Sequence, residues 1–250
     1  MTQIQGIESI NEIGLAANQL TPGLKWWRGQ PMDMPLVPSA FRSTSTLAEF
    51  NYLNHFRRSA AARYANAPGY EDLADWLALA QHYGLPTRLL DWSESLATAL
   101  YFAAEKCDEQ DGVLWILSPF RLNRAHVGLE AVGLLGSDRT TNLVKDAFTD
   151  EPDKATESVL ATYPHQRDVR HIVQQTVFTI HPNRNSLESM TNSDQWMTKM
   201  VVPAACKLKI RRQLGAMGVH RASLFPDLEN LAHRIKELKP ISGTPYDKTI

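Results

Sequence analysis

Hydrophobic positions along the chain alternate between a spacing of about 3.6 residues, which marks helices, and a spacing of 2, which marks strands. Leu73, Trp76, Leu77 and Ala80 recur at i, i+3, i+4 and i+7 and predict a helix opened at Asp72. Gly84 stands where a left-handed stop belongs, and Pro86 blocks continuation. Leu96, Ala99, Leu100 and Ala103 repeat the spacing behind Ser93, which is suited to an N-cap. Two further helices are predicted: Ala204 to Met217, stopped by Gly218, and a last one opened by Pro226-Asp227 with Leu228, Leu231, Ala232 and Ile235 on its core-type spacing. Ser43 or Thr46 is expected to cap a helix running to about Tyr64, and another helix is placed near Asn142 to Phe148.

Between these lie strand-like segments. Leu24 to Arg28 is aromatic and weakly alternating, Thr87 to Trp92 is short, and Val177 to Pro182 and Met197 to Pro203 alternate. Gly112 to Ser118 is an almost unbroken apolar run ended by Pro119, the mark of a strand buried on both faces. Pro31, Pro35 and Pro38 make residues 31–42 a loop. Together these elements predict an α+β fold: a single domain with short mixed or antiparallel strands and several helices. Residues 1–21 are read as an N-terminal extension, 22–239 as the domain and 240–250 as a loose C-terminal tail.

Composition narrows the function classes. With 250 residues, 43% hydrophobic, the chain can bury one large core. Lys and Arg number 26 against 27 Asp and Glu, so no global positive field points to nucleic acid or an anionic membrane. The basic run Lys207 to Arg212 falls on a helical pattern and is expected to be a solvated face. Two cysteines, Cys107 and Cys206, match neither a disulfide framework nor zinc spacing. No basic segment leads into an apolar run at the N-terminus, and no apolar run reaches about 18 residues. The expectation is a cytoplasmic protein without membrane contact. The sequence holds no G-x-G-x-x-G, P-loop, G-x-S-x-G or H-E-x-x-H motif, and its eight histidines do not cluster at ligand spacing. No metal is expected.

Three polar clusters carry candidate chemistry. In Trp27-Arg28-Gly29-Gln30 a guanidinium fork suits phosphate or carboxylate, and Gly29 admits close approach of a ligand or of another backbone. Because Trp26 and Trp27 face opposite sides of a strand, only one can line a pocket. A structural Arg28 capping carbonyls beside a core Trp fits the same spacing. The second cluster runs from Gln81 through His82, Tyr83, Thr87, Arg88, Asp91 and Trp92 to Ser93. Turn and cap chemistry accounts for part of it, including an Arg88–Asp91 pair, and His82 suits either a ligand or a helix-end carbonyl. The third is Asp168 to Ile180, where Gln174 and Gln175 stand at or just before a strand and so face opposite sides.

These clusters resemble the FRG domain family, which is named for an aromatic-Arg-Gly motif. Here that motif reads Trp27-Arg28-Gly29, with Trp where the family more often has Phe or Tyr. The passage from Leu79 through Gln81-His82-Tyr83-Gly84-Leu85-Pro86-Thr87-Arg88-Leu89-Leu90-Asp91-Trp92-Ser93 is the most specific match. "LATALYFA" (residues 96–103), "VQQTVFTIHP" and "MGVHRASLFPDLENLA" extend the resemblance over about residues 22 to 236. The family's order of features is similar to that of the ADP-ribosyltransferase-like fold. By that analogy Arg28, the Thr87 to Ser93 passage with its following helix, and Gln174 or Gln175 take the three site positions.

The resemblance implies an NAD-dependent ADP-ribosyltransferase or NAD glycohydrolase, with a toxin or antiphage role. Arg28 would take a phosphate or ribose oxygen. Tyr83, Trp92 or Phe102 would hold the nicotinamide ring, and Gln174 or Gln175 would bond a ribose hydroxyl or the acceptor. A Gln at the third position is a departure, because it brings no carboxylate; Asp91 is the candidate to compensate. Catalytic candidates are therefore Arg28, Asp91, Gln174 and Gln175. Ligand-binding candidates are Trp27, Gly29, Gln30, His82, Tyr83, Thr87, Arg88, Trp92 and Ser93. The expected partner is a nucleotide-type small molecule, with a protein or nucleic-acid acceptor. Two alternatives stand beside this: a non-catalytic nucleotide-binding or signalling module, and a hydrolase or nuclease built on Asp91 and His82.

Overall fold

The strand-like segments pair into one mixed sheet. The structure is a computed structural model and describes residues 3–4, 10–20, 23–42, 47–151, 158–166 and 169–238. The first third of the chain forms β1 (Gln3–Ile4), α1 (Ile10–Leu20), β2 (Trp26–Gln30), α2 (Ser39–Arg42), α3 (Leu47–Ala60) and α4 (Leu73–His82). The middle forms β3 (Leu89–Ser93), α5 (Leu96–Ala104), β4 (Gly112–Leu117), α6 (Pro119–Val127), β5 (Gly133–Leu134), α7 (Thr141–Asp146) and β6 (Leu160–Tyr163). The remainder forms α8 (Val169–Gln174), β7 (Thr176–Ile180), β8 (Met197–Val202), α9 (Ala204–Ala216), α10 (Arg221–Leu224) and α11 (Leu228–Glu237). The strands order as β1-β8-β4-β2-β3-β7-β6-β5. The outer pairs β1–β8 and β5–β6 are parallel and the rest antiparallel, which makes this an α+β fold with a mixed sheet.

Strand alternation sorts the core by face. On one face, Trp27, Leu114, Ile116, Met200 and Val202 pack with α5 and α9. Further along the same face, Leu89, Phe178 and Ile180 pack under α3, α4 and α7. The opposite face is an indole-rich layer of Trp26, Trp92, Trp115 and Trp196 with Val113, Leu117 and Val177. All six residues of β4 are buried, as its unbroken apolar run predicts.

Helix α5 lies directly on the sheet because two glycines let it. A Cβ on Gly29 would sit 1.7 Å from the Ala99 carbonyl oxygen, and one on Gly112 would sit 2.4 Å from that of Ala103. The alanines of α5 complete this close fit. The glycine of the Trp-Arg-Gly motif therefore admits a neighbouring backbone rather than a ligand.

Several local expectations shift. The second strand runs from Trp26 to Gln30, and the proline-rich loop contains the short α2. Ser95, not Ser93, caps α5 by accepting from the Thr98 N–H. Asp72 holds the N-cap position of α4, but its carboxylate accepts from Gly69 instead. Gly84 and Gly218 end their helices with φ of +79° each. Lys207 is not solvated: it is fully buried, and its Nζ donates to the carbonyls of Pro31, Lys106 and Cys107. The predicted caps Ser43 and Thr46, and the tail 240–250, lie outside the described residues. Among the described residues, no helix is long and apolar enough to cross a membrane.

Candidate functional site

The centre of the sheet is split. Strands β2 and β3 are neighbours, yet they register through one pair alone, Trp27 with Ser93. Each is fully laddered on its other side, β2 to β4 and β3 to β7. Past the Trp27–Ser93 pair the two strands part, and a cavity of about 260 Å³ lies there, lined by Trp27, Arg28 and Gly29 from β2 and Asp91, Trp92 and Ser93 from β3. Gln81 and His82 close it from the end of α4, Thr98, Ala99 and Phe102 from α5, and Arg170, His171, Gln174 and Thr176 from α8 and the start of β7.

Arg28 sits in the split. Its NH1 donates to the Asp91 carbonyl at 2.6 Å, while its Nε is buried without a hydrogen-bond partner. Burial pushes the guanidinium below its ordinary pKa, Asp91 acts to raise it and Arg42 to lower it. A guanidinium keeps its proton under such pressure, so the result is a desolvated, fixed cation with a spare donor. The Asp91 carboxylate is steered by Gln81, whose Nε2 donates to Oδ2 at 2.7 Å. The Gln81 Oε1 in turn accepts from the fully buried Thr87 hydroxyl, which also accepts from the Leu89 N–H. Thr87 thus acts behind the cavity, fixing the amide that fixes the carboxylate.

The floor toward α8 is equally built. Ser93 Oγ donates to the Gln174 carbonyl at 2.6 Å and accepts from the Ser95 N–H at 2.9 Å. Gln174 is buried, and its Nε2 donates to the Leu224 carbonyl. Arg170 stacks on Phe225, with its guanidinium carbon 4.5 Å from the ring centroid, and donates to the His82 carbonyl. The His82 and His171 rings meet edge to face at 5.3 Å. Behind the sheet, Trp92 Nε1 donates to Thr179 Oγ1, which lies 2.9 Å from His181 Nε2. His181 is fully buried, and burial, with Arg28 and His126, takes its pKa down to about 3.

Of the residues singled out from sequence, Arg28, Asp91, Gln174, Trp27, Gly29, His82, Phe102 and Ser93 meet at this cavity; Trp92 borders it, but its indole packs behind the sheet and is not placed to hold a ring in it. Five do not line it. Arg88 faces away: its Nε and NH2 donate to Glu49 Oε2 at 3.0 and 2.9 Å, and its other donors reach the Leu143 and Asp146 carbonyls. It pairs with Glu49, not Asp91, as a buried tie between β3, α3 and α7. Gln30 is buried against Trp115, whose Nε1 donates to its Oε1. Tyr83 is exposed and packs against Phe56 and Tyr64. Thr87 acts through Gln81, as described. Gln174 and Gln175 stand just before a strand rather than on it, so strand alternation does not set their faces: Gln174 ends α8, and Gln175 is exposed with φ of +48° in the link to β7. The cavity also takes Gln81, Thr98, Arg170, His171 and Thr176, which lie within the polar clusters and the motif passages but are not among the candidates named from sequence. Among the described residues no group of three or more His, Cys, Asp or Glu side chains is placed to hold a metal.

Residues 24–112 match the FRG domain. The match spans β2 through the start of β4 and so contains both edges of the split, Arg28 and Asp91 included. No curated protein and no solved structure gives a significant match.

Proposed function

We propose, on the premise that the chain belongs to the FRG domain family, that the split sheet binds NAD and serves cleavage of its nicotinamide–ribose bond, with ADP-ribose passed to water or to an acceptor. The observation that carries this reading is the pairing in one cavity of a half-buried guanidinium, whose buried Nε is a spare donor, with a carboxylate held by an amide. Such a set suits a ligand that carries phosphate and sugar hydroxyls around a cationic ring.

In the reaction the ribose–nitrogen bond breaks with both electrons leaving on the nicotinamide nitrogen. An oxygen from water or the acceptor takes its place and gives up a proton. Arg28 holds an anionic oxygen in the split through Nε. Asp91 bonds a ribose hydroxyl and accepts the proton of the incoming oxygen, the carboxylate role that Gln174 cannot fill. Trp27 and Phe102 supply apolar walls for the ring. The cavity falls just below the range of about 300–1,000 Å³ usual for small-molecule pockets, so it accepts the nicotinamide riboside end, with the adenosine end outside. A toxin or antiphage effector is the setting that NAD consumption suits.

One observation favours a second reading, a non-catalytic nucleotide-binding module: the Gln174 amide is already engaged with Leu224 and brings no carboxylate. Nicotinamide release from NAD in the presence of cell extract separates the two. The wild type is expected to release nicotinamide, and Arg28→Ala and Asp91→Asn, each folded by circular dichroism, to lose that release. A folded wild type that binds NAD saturably without release contradicts the catalytic reading.

A further inference from the structure

Helix α11 carries its apolar stripe on the outside. Leu228, Leu231 and Ile235, with Leu238 just past the last turn, follow one another at intervals of three, four and three residues. That is the a/d spacing of a coiled-coil seam, narrower than the apolar face of a helix laid on a globular core. All four are exposed, at 83, 48, 59 and 57%, and no residue of α11 is buried. The helix is nonetheless firmly seated. Asp227 caps it by accepting from the Asn230 N–H, and Arg221 of α10 donates to Asn230 Oδ1. A well-capped helix whose only apolar stripe faces away from its own domain is shaped for another helix.

We infer that this stripe is the interface of a homodimer, in which α11 of one chain packs antiparallel on α11 of a second copy. The seam is its own complement: antiparallel pairing sets Leu228 against Leu238 of the other copy and Leu231 against Ile235. Charge sets the direction. The N-terminal end carries Asp227 and Glu229, and the last turn carries Arg234 and Lys236 with Glu237, which pairs with Arg234, so antiparallel pairing brings a net-acidic end to a net-basic one and opposes the two helix dipoles. A lipid surface fits less well, because Glu229 and Glu237 balance Arg234 and Lys236 and leave no cationic face. Four side chains cover less than the about 800 Å² per partner of a standard interface, so the association is concentration-dependent rather than obligate. The inference is independent of the pocket's chemistry.

Sedimentation velocity of the full chain across rising concentration tests it. The wild type is expected to pass from monomer to dimer. Leu231→Glu and Ile235→Glu, both at exposed positions and so without effect on the melting temperature at concentrations where the wild type is monomeric, are expected to stay monomeric. Direction is read by oxidation in a Cys107→Ser, Cys206→Ala background: a mixture of Leu228→Cys and Leu238→Cys chains cross-links, and Leu228→Cys alone does not. A wild type that stays monomeric throughout, or that binds anionic vesicles as a monomer, overturns the dimer. Cross-linking of Leu228→Cys with itself overturns the antiparallel arrangement.

Discussion

Protonation of His181 is a measurable liability of the layer behind the pocket. The ring is fully buried, its Nε2 meets the Thr179 hydroxyl and its Nδ1 has no partner. Burial, reinforced by Arg28 and His126, lowers its pKa from 6.5 to about 3. The unfolded chain therefore binds a proton here below pH 6.5 that the folded chain refuses until about pH 3. Stability from this group is full above pH 6.5 and is lost as pH falls through that window. At about 1.4 kcal/mol per pH unit, the loss reaches roughly 2 kcal/mol by pH 5. Other groups titrate as well, so the assay is a double difference: urea unfolding of the wild type and of His181→Gln at pH 7.5 and pH 5. The variant is less stable at pH 7.5, because it disturbs a packed site. Its deficit is expected to shrink by about 2 kcal/mol at pH 5. Parallel stability curves for the two proteins would refute the reasoning, since they require His181 to titrate normally inside the fold.

Arg88→Met leaves Glu49 buried without its partner and is expected to cost about 3–5 kcal/mol in denaturant unfolding. Arg28→Met removes a half-buried guanidinium that forms no ion pair among the described residues, so its unfolding midpoint holds or rises. Gly29→Ala drives a methyl into the Ala99 carbonyl and lowers thermal stability by at least about 1–3 kcal/mol, the usual range for overpacking. Gln175→Gly relieves a left-handed backbone and is expected to raise stability by about 1 kcal/mol with ligand binding at the pocket unchanged, because the Gln175 side chain is exposed.

The parts of the fold that sequence revealed are those where one residue type has one physical use. Gly84 and Gly218 mark left-handed helix ends, and the apolar run of β4 has no reading other than burial. The concentration of polar groups between Gln81 and Ser93 marked the site, because a turn between apolar elements does not need so many donors. Long-range partners were hidden. Arg88 lies 39 residues from Glu49, and nothing local separates that pairing from one with Asp91. Arg170, His171 and Gln174 reach the cavity from a helix of six residues, too short to print a period, so the segment reads as an approach to a strand. The spacing of Leu228, Leu231 and Ile235 identified a helix face correctly but not what covers it, and the structure leaves that face outside the core.

Isothermal titration of ADP-ribose into the full chain tests most directly whether the split in the sheet is a nucleotide site, whatever chemistry follows binding. Saturable one-site binding is expected of the wild type and of Gln175→Gly, with its loss in Arg28→Met at an unchanged or raised unfolding midpoint. Binding that survives in Arg28→Met, or a folded wild type that takes up no ADP-ribose, would contradict this.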